Sequence, residues 1–304
     1  MRALSVTILC IFLCGCAQSS VSDYLPQIDA PPPAATTPAA VYSFGVLPLH
    51  NAVRLFESYQ PLIDEINSRV SGFTLRLETA KDYPHYETKV RERRLNFVMM
   101  YSHLVIPSEE RGYRIIGRTG DKIRGLILVR NDSGIHHAKD LKASSVSFAS
   151  RTDLPGAMMP KLLLKQNGLD MDQQITGKYV GSPDSALMNV VMKLSAAGCV
   201  SESAWLSFRT RRPDIASLLE VRWATPPLVG PGILARKDIP QEHVQSVARV
   251  LFGLEQSESG RKVLTSMGVS SFQPANAATY DTVWEFLNEY RKAFGHTLNL
   301  GGAE

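Results

Sequence analysis

Charge is sparse along the 304 residues and nearly cancels: 20% are Asp, Glu, Lys or Arg, with 33 basic against 29 acidic. Nucleic-acid binding normally shows a clustered basic face, so this balance argues against a nucleic-acid partner. The run Lys89–Arg94 (KVRERR) is interrupted by Glu92 and reads as a solvated helix face. Enzyme signatures are also missing. The chain has no G-x-S-x-G elbow, no P-loop and no dinucleotide fingerprint. Its seven histidines never pair with a second His or Cys at metal-ligand spacing, apart from the adjacent His136 and His137, whose side chains diverge in a polar turn. No catalytic residues, no metal and no cofactor are expected. Cysteine is scarce and uneven: of four, Cys10, Cys14 and Cys16 crowd the N-terminus and only Cys199 follows. What remains is 44% apolar residues with 21 Gly and 18 Pro. That is globular composition, and it excludes collagen-like, mucin-like and wholly disordered chains.

The N-terminus reads as an address. Residues 1–16, MRALSVTILCIFLCGC, carry one positive charge and then an apolar run from Ala3 to Leu13. That run is shorter than the roughly 20 residues a bilayer span needs, but it suits the core of a signal peptide. Leu13-Cys14-Gly15-Cys16 resembles a bacterial lipobox, which makes Cys16 the expected lipidation site and the anchor to a membrane. The alternative is an ordinary secretory signal cut later, after Ala17. With Cys16 lipidated, Cys199 is the only thiol left in the folded part, so no intramolecular disulfide is expected. Cys199 sits among small and apolar residues and reads as a core thiol rather than a nucleophile. Residues 17–40 are rich in Ala, Pro, Ser and Thr, with a triple proline at 31–33, and read as a semi-stiff tether.

From Val41 the pattern alternates. Val41–Pro48 reads as a strand, and apolar residues at helical spacing (Val53, Phe56, Tyr59, Ile63, Ile66, Val70) predict a helix closed by Gly72. Phe73–Glu78 alternates like a strand, a helix follows from Asp82 to Arg94, and Phe97–Tyr101 is a buried-type strand. His103–Arg111 is a candidate helix, with strands at Tyr113–Arg118 and Gly125–Val129. The second half repeats the alternation: strands at Ser145–Ser150, Lys178–Gly181 and Ala196–Val200, separated by helices at Pro155–Gly168 and Pro183–Leu194. Leu218–Ala224 and Gly232–Ala235 read as returning strands, and three helices close the chain. Such alternation implies α/β architecture with parallel strands covered by helices. Two α/β lobes are expected, residues 41–130 with 225–304 as lobe 1 and 131–224 as lobe 2, with a hinged cleft between them.

Two strand-to-helix loops could carry a ligand. Ser150-Arg151-Thr152-Asp153 opens the helix beginning near Pro155, and Gly181-Ser182-Pro183-Asp184-Ser185 repeats the geometry one junction later. Backbone N–H groups at a helix N-terminus, with hydroxyls beside them, suit an anion or a polar solute. Both loops would lie beyond the carboxyl ends of strands, where open α/β sheets bind ligands. The competing reading is simple N-capping by Thr152 or Asp153, and Asp153 would itself repel an anion.

With these landmarks placed, residues from about Ser43 to Phe294 resemble the phosphate/phosphite/phosphonate ABC-transporter substrate-binding proteins (the PhnD-like family). The resemblance rests on Gly45-Val46-Leu47-Pro48, Tyr59-Gln60-Pro61-Leu62, Lys81-Asp82-Tyr83, Leu128–Ile135 with Asp140-Leu141-Lys142, and Gly156-x-x-x-Pro160. Gly181-Ser182-x-Asp184-Ser185-Ala186, Trp223–Pro227 and Ala235–Pro240 complete it in the same order. It implies a type II periplasmic-binding-protein fold that closes on its ligand by hinge motion, and delivery of that ligand to ABC permease subunits. Tyr83 matches the family's ligand-contacting tyrosine. The family's Ser-Thr-Ser-Gly run is here Asp153-Leu154-Pro155-Gly156, Pro183 stands in place of its His, and a later acid is replaced near Pro231. The expectation is a non-enzymatic, lipid-anchored, periplasm-facing binding protein of an ABC importer that takes a small polar or anionic solute. Tyr83, Ser150, Thr152, Asp153, Ser182 and Asp184 are its candidate ligand residues. The alternative is an envelope lipoprotein of the same fold acting as a sensor or interaction partner.

Overall fold

The computed structural model describes residues 39–48 and 52–295. The signal segment, Cys16, nearly all of the tether, His50 and His296 lie outside the described residues. Among the described residues, no helix is long and apolar enough to cross a membrane.

The first half runs β1 (Ala40–Gly45), α1 (Ala52–Arg69), β2 (Phe73–Glu78), α2 (Tyr83–Arg91), β3 (Phe97–Met100), α3 (Ser102–Glu110), β4 (Tyr113–Thr119), β5 (Lys122–Ile123) and β6 (Gly125–Arg130). Then come β7 (Ser144–Phe148), a π-turn at Leu154–Met158, α4 (Met159–Gln166), α5 (Met171–Gln174), β8 (Ile175–Tyr179), α6 (Pro183–Val191), β9 (Ala197–Ser201), α7 (Glu202–Arg211) and α8 (Pro213–Ala216). The chain ends with β10 (Leu219–Ala224), β11 (Leu228–Val229), β12 (Gly232–Arg236), α9 (Gln241–Gly253), α10 (Glu258–Met267), β13 (Phe272–Gln273) and α11 (Asp281–Phe294).

Two sheets organise these elements. Lobe 1 holds six strands in the order β13-β4-β12-β3-β1-β2, and lobe 2 holds five in the order β10-β6-β9-β7-β8. Strands joined by a helical crossover (β1, β2 and β3; β7, β8 and β9) run parallel, the arrangement such a connection allows. The sheets are mixed rather than parallel throughout. β12 enters from lobe 2 and pairs antiparallel with β3 and β4, while β6 enters from lobe 1 and pairs antiparallel with β9. A strand arriving from the opposite lobe carries no crossover constraint, and its direction is set by where the chain enters.

The expectation that lobe 1 extends through residue 130 differs from this pairing, because Gly125–Arg130 is a central strand of the second sheet. Its apolar run would suit either lobe, and only its partners β9 and β10 assign it. Residues 219–224 form an edge strand of the second sheet, beside β6.

Each sheet has its own core. In α1 the buried stripe is Leu55, Tyr59, Leu62, Ile63 and Ile66, packed on Phe44, Phe73, Leu75 and Leu77. Val53 and Phe56, expected on that stripe, are exposed. At 3.6 residues per turn Leu55 lines up with Tyr59 and Leu62, whereas Val53 and Phe56 stand off to the side. In β2 the predicted alternation holds, with Phe73, Leu75 and Leu77 inward. The lobe 2 core centres on Ile127, Val129, Leu141, Val146, Phe148 and Cys199. A further cluster joins the halves: Tyr83, Tyr101 and Leu104 of lobe 1 pack with Leu154, Met158, Met159 and Leu162 of lobe 2.

The chain crosses between the sheets at two places that are bonded to each other. Gly125 N donates to Thr225 Oγ1 at 3.0 Å, and Thr225 N donates to Gly125 O at 2.9 Å. Beside this crossing, β5 and β11 form a two-stranded antiparallel ribbon. A side chain at Gly125 would place its Cβ 2.3 Å from the Pro155 carbonyl oxygen, so only glycine fits this close approach.

Candidate functional site

Several helices begin around one cavity, and each start is fixed by local sequence. On α2, Asp82 Oδ1 accepts the His85 N–H at 2.8 Å, and Pro84 suits the first turn, whose N–H groups have no intrahelical partner. This capping sets Tyr83 at the mouth of the helix, with its ring buried and its hydroxyl without a hydrogen-bond partner. Burial raises the Tyr83 pKa, and the nearby Asp153 charge raises it further. On α3, Tyr101 stands at the cap position and supplies no side-chain cap. Its ring lies between Tyr83 (centroids 6.1 Å, planes 7° apart) and His103 (6.0 Å, 28°). Both His103 ring nitrogens are buried without partners, and burial lowers its pKa to about 3, so the ring is neutral.

Lobe 2 contributes Asp153. Its Oδ1 accepts the Gly156 N–H at 3.1 Å, which caps the π-turn leading into α4. A Cβ at position 156 would lie 2.3 Å from Asp153 Oδ2, so Gly156 is what lets the carboxylate fold back on the helix start. Asp153 is 1% exposed. Burial pushes its pKa up to about 6, against the opposing pull of the Gly156 N–H and of the Tyr101 hydroxyl. The neighbouring loop reaches across to lobe 1, where Thr152 Oγ1 donates to Glu87 Oε1 at 2.8 Å. Ser150 Oγ lies 3.3 Å from Thr152 Oγ1.

The next junction is also self-capped. Ser182 Oγ accepts the Ser185 N–H at 3.1 Å and donates to Ser185 Oγ at 2.8 Å. Asp184 accepts two hydrogen bonds from Arg211 Nη2, each at 2.9 Å. On α7, Ser201 Oγ accepts the Ala204 N–H at 3.1 Å. Arg54 of α1 donates to Ser207 of α7 across the gap, and its pKa is lowered first by burial and then by Arg211.

These elements enclose a cavity of about 380 Å³ between the lobes, within the span usual for small-molecule sites. Tyr59, Tyr83, Tyr101 and Asp153 line it, with Arg54 and Arg211 and the hydroxyls of Ser58, Ser201, Ser203, Ser207, Thr210 and Ser266. Of the expected ligand residues, Tyr83 and Asp153 line the cavity. Ser182 and Asp184 flank the lining residue Pro183 and are bonded to Ser185 and Arg211, while Ser150 and Thr152 lie toward Glu87. Tyr101, Arg54 and Arg211 were missed. Tyr101 reads as the end of an apolar strand, Arg54 carries no local signal, and Arg211 lies on α7, a helix the sequence pattern does not mark. Among the described residues no group of His, Cys, Asp and Glu could hold a metal ion.

Two sheet-bearing lobes, two bonded crossings and a cavity at converging helix starts are the architecture of the periplasmic-binding-protein fold. Solved structures share the fold. PhnD1 of Prochlorococcus marinus (MIT 9301), in complex with methylphosphonate, superposes with a TM-score of 0.75 at 19% identity, covering 83% of this chain and 99% of that one. A binding-protein component of an ABC phosphonate transporter from Pseudomonas aeruginosa gives 0.75 at 16% identity, covering 84% and 88%. A Xanthomonas citri protein solved with ATP gives 0.68 at 19% identity, covering 85% and 99%. In sequence, residues 44–280 match the family of periplasmic substrate-binding proteins of phosphonate ABC transporters, and the chain belongs to that family. A curated relative, described as a probable ABC-transporter phosphite-binding protein PhnD1 of Prochlorococcus marinus (strain MIT 9301), is 24% identical over 168 residues. That stretch is 53% of this chain and 56% of the relative, so the chain spans little more than half of the relative's length. The family comprises binding components of transporters, which are not enzymes.

Proposed function

We propose that this chain is the solute-binding component of an ABC importer, held at the periplasmic face of a membrane through lipidated Cys16. It takes a small polar or anionic, phosphonate-like solute into the cleft between its lobes and passes it to the permease subunits. The observation that carries this reading is the cavity of about 380 Å³ lined from both lobes, with the buried Tyr83 hydroxyl lacking a protein partner. A buried hydroxyl left without a hydrogen bond is costly, and a bound solute would supply one. Closure then proceeds as a hinge motion about the Gly125–Thr225 crossing.

The test is thermal melting of the purified protein with phosphate, phosphite, alkylphosphonates and amino-acid-like solutes. A ligand at 100 times its Kd stabilises by about 2.7 kcal/mol. Unchanged melting curves across all four classes would sink the transport reading. For the anchor, Cys16→Ser should move the protein from the membrane to the soluble fraction, and an unchanged distribution would reject lipidation.

A second reading, a sensor or interaction partner in the envelope, draws on a specific observation. The helix starts that would receive an anion are already capped by Asp153 and Ser182. Membrane crosslinking separates the two, because recovery of permease subunits alone would reject the sensor.

A further inference from the structure

The start of α4 is where a cleft of this architecture offers its N–H groups and helix dipole to an anion. Here a side chain of the protein has taken that place. Asp153 Oδ1 holds the Gly156 N–H at 3.1 Å, and the carboxylate lies so close to Gly156 that no Cβ could be added there. The groups that act on this carboxylate are dipoles, the Gly156 N–H and the Tyr101 hydroxyl, and no cationic side chain is among them. A carboxylate has room for about four acceptor interactions, more than the two named here, and Asp153 is one of the residues lining the cavity. Beside it, the buried Tyr83 hydroxyl also lacks a partner. Arg54 and Arg211 line the same cavity, so the enclosure presents both signs of charge.

We propose that Asp153 determines the specificity of the cleft by reversing the polarity of its helix-start subsite, so that the cleft receives the ammonium end of a small zwitterion there and not an oxyanion. The proposal rests on the reading of the cavity as the solute site. The ammonium donates to the Asp153 carboxylate and to the Tyr83 oxygen. The acid group of the same solute is left to the arginine and hydroxyl lining. An oxyanion at the α4 start would stand against a buried carboxylate of like charge and displace its cap. A zwitterion neutralises that carboxylate inside a low-dielectric enclosure, where an unpaired charge is expensive.

The experiment is calorimetric titration of the purified protein with two pairs of solutes that differ only in the amine: 2-aminoethylphosphonate against ethylphosphonate, and 3-aminopropionate against propionate. Within whichever pair binds, the amine-bearing member should bind at least about tenfold tighter, the size expected for one hydrogen bond to a charged group. Asp153→Asn should abolish that preference. Asp153→Ser keeps a cap but removes the charge, so it should raise affinity for the amine-free member. Equal binding within a pair, or a preference that survives Asp153→Asn, overturns the proposal while leaving the solute-binding reading intact. Failure of all four solutes to bind counts against both. The wild-type comparison does not depend on any variant folding.

Discussion

Thr152 Oγ1 donates to Glu87 Oε1 at 2.8 Å, joining the loop after β7 in lobe 2 to α2 in lobe 1. The acceptor is a half-buried carboxylate whose pKa is raised by desolvation, with the Thr152 hydroxyl and then Arg91 holding it down. Thr152→Val keeps the side-chain shape but withdraws the donor. The loss should be about 1.5–3 kcal/mol, the range for a hydrogen bond to a charged group. Thermal melting reads the loss, and Glu87→Gln, which keeps an acceptor oxygen and no charge, should cost less. If Thr152→Val melts like wild type, this bridge contributes nothing to holding the lobes together.

Asp153 gives a pH dependence of definite sign. Its pKa is raised from the ordinary 3.8 to about 6, chiefly by burial, so the folded protein holds this proton more tightly than the unfolded chain. Stability from this group is therefore highest below about pH 4 and falls as the pH rises toward about 6, where the penalty reaches about 3 kcal/mol. Asp153→Asn removes the charge and keeps an oxygen for the Gly156 N–H. It should be more stable than wild type at pH 8, and the advantage should shrink to nothing near pH 4. Denaturant melts at the two pH values check this, and a gap independent of pH would show that the carboxylate carries no burial penalty.

What the sequence made legible follows from range. The alternation in Phe73–Glu78 and the capped start at Asp82-Tyr83-Pro84 are local, and both appear in the structure as read. The stripe of α1 holds at Tyr59, Ile63 and Ile66 and differs only in the first turns, where Leu55 is buried and Val53 and Phe56 are exposed. Of the residues lining the cavity, Tyr83 and Asp153 stand where the sequence offers candidates. The site was illegible where distant segments meet. Arg54 and Ser207, which bond across the cleft, are 153 residues apart. Tyr101 ends an apolar strand, and nothing local says that its ring would stack on Tyr83 or its hydroxyl point to Asp153. Gly125–Arg130 is similar, since its lobe is decided only by the strands that pair with it.

Cys199 should behave as an inert thiol. It is fully buried on β9, and desolvation raises its pKa far from the thiolate range, with Lys161 opposing only in part. The thiolate is the reactive form, so labelling of the native protein by a thiol reagent at pH 8 should be slow and limited by unfolding. Adding denaturant should make it rapid. Fast labelling under native conditions would show that lobe 2 opens locally around β9.

In the proposed hinge motion, the apolar cluster shared by the lobes is what resists opening. Leu154 and Met158 are completely buried, and they pack with Tyr83, Tyr101 and Leu104 of the opposite lobe. Opening must pull these surfaces apart, at about 25 cal/mol for each Å² of apolar area that becomes wet. Truncating Leu154 to Ala removes contact that exists only while the lobes touch, in addition to the packing it makes within lobe 2. Its cost should fall within the usual 2–5 kcal/mol for a buried Leu→Ala change. More tellingly, it should weaken the closed form relative to the open one, seen as a larger radius of gyration in solution scattering without added solute. Leu141→Ala supplies the comparison: Leu141 is equally buried but belongs to the core cluster of the second sheet, which has none of the lobe 1 residues of the shared cluster among its buried members. That variant should lose similar stability in denaturant and leave the radius unchanged. If both variants expand alike, the expansion reflects general loosening, and the cluster across the cleft has no part in holding it shut.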